Sequence, residues 1–129
     1  IGAVGPAMLK YAARCADTWN SFSWGKTFEE RLEETRRRNE LVDKYCSEIS
    51  RDPCSLRRSY LMLDPEARRL GELISYYESE KIFRDMVRRY VDVGITEFIL
   101  YYPFGEEQLP VFEKIAREII PELRNLYSQ

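Results

Sequence analysis

The residues best suited to chemistry are the first six, in which two glycines and a proline follow a short apolar run (IGAVGP). Gly2 and Gly5 allow the backbone to approach a bound molecule closely, because glycine has no Cβ. Pro6 is typical of the first turn of a helix, whose free N–H groups and positive dipole end favour an anion such as phosphate. A plain turn explains the same residues, and their spacing departs from the dinucleotide G-x-G-x-x-G fingerprint. The pattern therefore predicts either a structural turn or an anion site, which we call the Gly2–Pro6 bend.

The amino-acid composition argues against several classes of site and partner. The 129 residues include no His, the commonest general base and metal ligand, and the three cysteines lack C-x-x-C spacing, so we expect no metal site and no disulfide framework. The 20 basic and 22 acidic residues are interspersed, which argues against a nucleic-acid partner. No apolar run approaches the roughly 20 residues that span a bilayer, and no signal peptide is present. These features predict a cytoplasmic protein without a membrane partner.

Short apolar runs alternate with helical patterns along the chain. A capping box at Thr27 and Glu30 predicts the start of the longest helix, and Gly94 is typical of a left-handed C-cap. The strand candidates are residues 1–4, 16–22, 59–63 and 97–102. Helices are expected from residue 6, over 28–49, over 79–93 and from about 106 to 123, with a short helix or loop over 66–77.

Four strand-helix units in series predict an α/β fold with parallel strands and right-handed crossovers. Two architectures remain open, a doubly wound sheet and part of a (β/α)8 barrel. The chain begins inside an apolar run and without Met, so residues 1–129 are interpreted as one segment, the C-terminal half of a TIM barrel. Such a half would expose two strand edges and a broad apolar face, and we expect it to depend on a partner.

The stretch IGAVGPAMLKYAARCADTWN resembles the bacterial luciferase-like family of flavin- and deazaflavin-dependent oxidoreductases. Members read as an apolar strand, a G-x-x-G-P turn, a helix ending in A-A-R-x-A-D, and an aromatic strand. The resemblance continues through TFEERLEETRRRNELVDKYCSEISRDPCSLRRS, with its R-D-P-x-S turn, and ends in YVDVGITEFILYYP and a last amphipathic helix. It covers essentially all of the chain.

The resemblance implies a flavoprotein monooxygenase whose barrel holds FMN, or the deazaflavin coenzyme F-420, at the carboxyl ends of its strands. It implies that the cofactor's phosphate-bearing tail and part of its ring meet Gly2, Ala3, Val4, Gly5 and Pro6. The carboxyl end of the next strand would add Trp19, Asn20 and Ser21. From the residues alone, Trp19 is equally well explained as core or as a wall of the cofactor site.

The resemblance also implies partners. The missing N-terminal half of the barrel would supply much of the pocket for a small organic substrate, and a homodimer is compatible with the family. No catalytic residue can be named in this segment, and an isolated fragment is expected to be inactive. The protein's share of flavin chemistry is orientation, electrostatics and exclusion of water, none of which requires His.

Three other functions remain open at this point. The same bend could serve F-420-dependent hydride transfer without oxygen chemistry. The chain could be a non-catalytic interaction module with a vestigial loop. A sugar-phosphate isomerase or aldolase would also use an anion loop, but it needs a catalytic Lys or carboxylate at the carboxyl end of a strand, whereas Asp17 and Glu97 are expected at strand starts.

Overall fold

The computed structural model describes residues 1–63 and 74–128. Its sheet has three parallel strands in the order β1, β2, β3, namely Thr18–Ser21, Arg57–Met62 and Glu97–Leu100. A fourth extended stretch, Ile1–Ala3, runs parallel to β1 along its outer side. The Asn20 nitrogen donates to the Ile1 carbonyl (2.8 Å), and the Ala3 nitrogen donates to the Asn20 carbonyl (3.1 Å). The predicted parallel arrangement is confirmed.

Helices follow each of these stretches. They are α1 (Pro6–Cys15), α2 (Phe28–Glu48), α3 (Glu80–Asp92), α4 (Leu109–Lys114) and α5 (Ile120–Tyr127). A π-helical turn, Ile115–Ile119, joins α4 to α5, and 3-10 turns occupy Pro53–Ser55 and Glu106–Gln108. The alternation of strand and helix matches the sequence prediction. Most of the stretch expected as a short helix or loop, 66–77, lies outside the described residues.

Local capping signals hold where they were predicted. The Glu30 nitrogen donates to Thr27 Oγ1 (3.1 Å) and the Thr27 nitrogen donates to Glu30 Oε2 (3.3 Å), which completes the capping box of α2. Gly94 follows α3 with φ of +105°, the left-handed conformation expected of it. These ends are reproduced because each depends on residues that are close together in the sequence.

The C-terminal helix is longer and less regular than predicted. It continues to Tyr127 although Pro121 was expected near its end. Proline has no N–H to donate to the carbonyl four residues earlier. The chain accommodates this with the π turn just before it, in which the Ile120 nitrogen donates to the Ile115 carbonyl.

All described helices pack on one face of the sheet. Strand side chains alternate, and the helix-facing set includes Trp19, Tyr60 and Met62, all fully buried. Trp19 is buried with residues of α1 and α2, such as Leu9 and Val42. The remaining core groups Tyr60 and Met62 with residues of α3 and of the π turn: Phe83, Val87, Tyr90, Ile115 and Ile119.

The opposite face, here called the open face, has no helix over it in the described part of the chain. Gly2, Asn20, Ser59 and Glu97 lie in register across it. β3 was predicted to be covered on both faces because its sequence is almost continuously apolar. That prediction is wrong for this chain, since Ile99 on the open face is 45% exposed.

Helix faces were predicted less well than helix positions. The three- and four-residue spacing of apolar residues predicts Met8 and Ile49 on inward helix faces, and Cys15 is expected to pack in the core as a small apolar residue. All three are exposed. Arg31 instead lies on the buried face of α2, where its Nε donates to the Gly25 carbonyl (2.6 Å) and its Nη1 to the Leu63 carbonyl (3.3 Å). The same face contains the predicted Thr35, Asn39, Val42 and Cys46 and the unpredicted Tyr45.

Two buried tyrosines should make the fold sensitive to alkali. Burial, reinforced by neighbouring tyrosines, raises the pKa of Tyr90 and Tyr76 above the usual value near 10. The unfolded chain then releases these phenolic protons more readily than the folded chain, so stability is complete below pH 10 and falls as the pH rises above it. The decline amounts to about 1.4 kcal/mol per pH unit for each group.

We expect Tyr90→Phe to reduce this alkaline loss, measured as the free energy of unfolding in urea between pH 8 and pH 11. Tyr11→Phe is the matched control, because Tyr11 is exposed on α1. An alkaline slope that is the same in both variants contradicts the role given to Tyr90.

Candidate functional site

The Gly2–Pro6 bend lies at the carboxyl edge of the sheet. Ile1–Ala3 runs parallel to the three strands, so the residues that follow it leave the sheet at the edge where β1, β2 and β3 end. Gly2, Val4 and Pro6 are exposed and Gly5 is half-buried. The bend is therefore accessible from the edge at which parallel α/β folds bind their ligands.

The start of α1 presents unpaired donors at this edge. Gly5 is the N-cap, so no side chain caps the helix, and its first turn contains no acidic residue. The Gly5 carbonyl accepts from the Leu9 nitrogen (2.9 Å), and no described residue accepts from the N–H groups of Ala7 and Met8. The usual capping residues, Ser, Thr, Asp and Asn, would occupy such donors. Glycine leaves them to an external anion.

The protein's own packing does not explain the glycines of the bend. A Cβ added to Gly2 or Gly5 meets no atom within 4 Å, and Gly5 has φ of −88°, which any residue adopts. Gly25 and Gly105 differ, since a Cβ there would lie 2.6 Å from Glu30 Cβ or 2.1 Å from Glu107 Oε1. The space against Gly2 and Gly5 is free for atoms of another molecule.

The side chains of Trp19 and Ser21 point into the core under the helices and do not reach the solvent-exposed side of the bend. Both are fully buried on the helix-facing side of β1. The Trp19 indole nitrogen donates to the Ala3 carbonyl (2.9 Å), which fixes the strand that leads into the bend. Of the two roles that the sequence leaves open for Trp19, core packing fits this geometry, and a wall of an open cofactor site does not. Ser21 shares that side because it lies two residues further along the strand.

Asn20 faces the other way and joins the bend. It lies on the open face in register with Gly2, and its Nδ2 donates to Ser59 Oγ (2.8 Å). The structure thus brings Gly2, Val4, Gly5, Pro6 and Asn20 to one accessible region. Ala3 lies among them in sequence, but its side chain is buried with the core and only its backbone belongs to the bend.

The sequence analysis assigns no site role to three aromatic side chains that are exposed in the loops after the strands. Trp24 follows β1, and Tyr102 and Phe104 follow β3. Large apolar groups in exposed loops at a carboxyl edge are characteristic of ligand-contacting residues. The available signal was their place within four residues of the ends of β1 and β3.

Glu97 occupies the position that the sequence predicted for it. It is the first residue of β3, at the amino edge, where its Oε2 lies 3.8 Å from Arg57 Nη1. This exposed ion pair lies across the sheet from the bend, because Glu97 is in register with Ser59, Asn20 and Gly2. Glu97 begins β3 and Asp17 precedes β1, so neither carboxylate follows a strand, as an isomerase or aldolase would require.

A scan against protein-family models finds no match for this chain, and a search of curated protein sequences finds none. Within residues 1–63 and 74–128, no group of three or more Cys, Asp or Glu side chains is placed to hold a metal ion. None of the helices in the same residues combines the length and apolarity needed to cross a bilayer. Any functional assignment therefore depends on the geometry of the bend and on the resemblance.

The free space around Gly2 predicts how a substitution there changes the free energy of unfolding. Gly2→Ala should leave the free energy of unfolding unchanged or raise it by up to about 1 kcal/mol, because the new Cβ contacts nothing and the unfolded chain loses freedom. Gly94→Ala should lower it by about 1–2 kcal/mol, since alanine is strained at positive φ and its Cβ lies 3.4 Å from Asn39 Oδ1. Urea unfolding measures both. Equal destabilisation by the two substitutions would contradict the free space assigned to Gly2.

Proposed function

We propose that this chain is the C-terminal half of a luciferase-like, flavin-dependent oxidoreductase barrel, and that the Gly2–Pro6 bend binds the phosphate of FMN. One observation carries the proposal: two glycines that the chain's own packing does not require lie at the carboxyl edge, beside free N–H groups of a ten-residue helix. The family resemblance of the same residues implies that the anion is a flavin phosphate.

The arrangement of the sheet supports a barrel. The four extended stretches follow one another in space in their sequence order, Ile1–Ala3, β1, β2 and β3, and their helices cover one face only. A doubly wound sheet reverses its strand order and places helices on both faces. A barrel keeps one order and one outer ring of helices, so the open face would become its interior.

The residues of the bend fit a flavin mononucleotide. Phosphate oxygens are acceptors, and the N–H groups of Ala7 and Met8 are donors at the positive end of α1. Backbone at Gly2 and Val4 would contact part of the ring, with the Asn20 amide in the same region. Bound FMN would supply hydride transfer or oxygen activation. This chain's residues would bind the cofactor, orient it and shield it from water.

The substrate site would be shared with the N-terminal half of the barrel. In the described residues, Ile99 on the open face is 45% exposed and no strand pairs along the outer edge of β3, so a second wall is required to enclose a small organic substrate. Trp24, Tyr102 and Phe104 are the groups of this half that would contact it. The catalytic groups would lie mainly in the other half.

Phosphate dependence is the direct test of this proposal. We expect FMN to raise the melting temperature of the 129-residue chain, because a ligand at a hundredfold excess over its dissociation constant stabilises the folded state by about 2.7 kcal/mol. Riboflavin, which lacks the phosphate, should give a much smaller shift. Thermal unfolding followed by circular dichroism avoids interference from flavin fluorescence.

Gly2→Val separates binding from stability. The branched side chain should abolish the FMN-induced shift while leaving the unliganded melting temperature unchanged, since it enters open space. Lys44→Ala, at an exposed site on α2, is the control and should retain the shift. Stabilisation by coenzyme F-420 but not by FMN would assign deazaflavin hydride transfer to the same bend. No shift with either cofactor would contradict cofactor binding and favour an interaction module.

A further inference from the structure

Asn20 is a polar residue in a position that strand packing does not explain. It lies within β1, although asparagine is depleted in strands, and its half-buried side chain is on the open face. In the barrel of the proposed function this face would be the interior. A polar side chain removed from water needs a partner for each of its hydrogen-bonding groups.

Ser59 satisfies only part of the Asn20 amide. The Asn20 Nδ2 donates to Ser59 Oγ (2.8 Å), and Ser59 is buried at the register position beside it on β2. An asparagine amide has two N–H donors and one carbonyl acceptor. One donor and the carbonyl oxygen, Oδ1, therefore have no partner among the described residues. Since Nδ2 points to Ser59, Oδ1 is turned away from it.

Free space lies on the side of Asn20 opposite to Ser59. Gly2 is the register partner on that side, and a Cβ added to Gly2 meets no atom within 4 Å. A planar group can therefore lie over Gly2 and pair with the two free groups of the amide. Asparagine recognises a neighbouring donor and acceptor in this way at the edge of adenine, through two hydrogen bonds.

An apolar row lies next to Asn20 on the open face, towards the carboxyl edge. It consists of Leu61 and Ile99, which are in register on β2 and β3, two residues beyond Ser59 and Glu97. Ile99 is 45% exposed. An apolar surface and a single amide thus lie side by side. This combination suits a flat ring that has apolar faces and carries an N–H and a C=O at one edge.

We propose that Asn20 recognises the imide edge of the flavin ring, namely its N3–H and an adjacent C=O, and that Ser59 is the positioning residue that orients the Asn20 amide. The inference rests on the proposed function, and it adds a group that recognises the ring to the bend that binds the phosphate. FMN and coenzyme F-420 share this imide edge. Asn20 therefore selects the ring system and does not distinguish the two cofactors.

Ser59 acts through Asn20 and does not touch the ring. Its hydroxyl determines which end of the amide faces β2. A reversed amide would place an N–H opposite the N3–H of the ring, and two donors that face each other both lose a hydrogen bond. The buried position of Ser59 is consistent with this indirect role.

The test compares FMN with 3-methyl-FMN, in which a methyl group replaces the N3 hydrogen. Isothermal titration calorimetry measures the dissociation constants of both ligands for the 129-residue chain. We expect methylation to weaken binding by about tenfold or more, because Oδ1 of Asn20 loses its donor and meets a methyl group. The phosphate is the same in both ligands, so the ratio of the two constants reports on the ring edge alone.

Variants assign this ratio to particular residues. Asn20→Leu keeps the size of the side chain and removes the amide, so it should bring the two constants to within about twofold of each other. Ser59→Ala should give an intermediate ratio, because the amide is then free to turn. Asn125→Leu is the matched control, since Asn125 is exposed on α5, and it should keep the full ratio. Circular dichroism verifies that the variants fold.

Equal binding of the two flavins by the wild-type chain overturns the inference and leaves phosphate binding at the bend intact. A ratio that Asn20→Leu leaves unchanged also overturns it, because the methyl group is then sensed elsewhere. If Ser59→Ala weakens both ligands by the same factor, Ser59 has no positioning role. If FMN does not bind at all, the proposed function fails and the inference fails with it.

A second measurement applies if Asn20→Leu does not fold. The side-chain ¹⁵N–H signals of Asn20 in the wild-type chain should shift on addition of FMN and stay in place on addition of 3-methyl-FMN. Equal shifts with the two ligands contradict recognition of the imide edge by Asn20.

Discussion

The pairing of Ile1–Ala3 with β1 is the interaction on which the rest of the site depends. Backbone hydrogen bonds join the two stretches, and the Trp19 indole adds a bond to the Ala3 carbonyl. These contacts hold a very short stretch in register with a parallel sheet. They thereby place the following bend at the carboxyl edge and direct the start of α1 towards the same side. If this pairing were lost, the glycines and the helix N-terminus would no longer share one region.

Features that depend on neighbouring residues could be predicted from the sequence. The capping box at Thr27, the C-cap at Gly94 and the serial order of strands and helices all follow from local patterns and are present in the structure. The alternation of Trp19 and Asn20 across β1 was also evident. The sequence of β1 does not show which of its sides the helices cover. Alternation of side chains defines two faces of a strand but does not say which of them is buried.

Burial of charged and apolar groups was harder to predict. Arg31 is an example, because its acceptors, the Gly25 and Leu63 carbonyls, converge on it only in the folded chain. Arg58 is similar, since its Nη1 donates to Asn39 Oδ1 on α2 (3.1 Å), and the sequence of β2, RRSYLM, does not show which residues face that helix. The apolar sequence of β3 is compatible with one covered face or two. Only the packing of the other elements decides between them.

Coverage of the open face should affect anion binding at the carboxyl edge. Closing the open face would surround the apolar row and exclude water from the region in front of the bend, where a low dielectric strengthens the attraction between an anion and backbone N–H groups. A bend open to solvent on all sides would hold an anion weakly. Cofactor binding at the edge and coverage of the face should therefore reinforce each other.

The most direct test of the central claim is a titration of the uniformly ¹⁵N-labelled chain with FMN, followed by the chemical shifts of its backbone amides. The account predicts that the largest saturable changes occur at the amides of Gly5, Ala7 and Met8, at the start of α1. Changes confined to other elements, or none at these three amides at millimolar FMN, would contradict it.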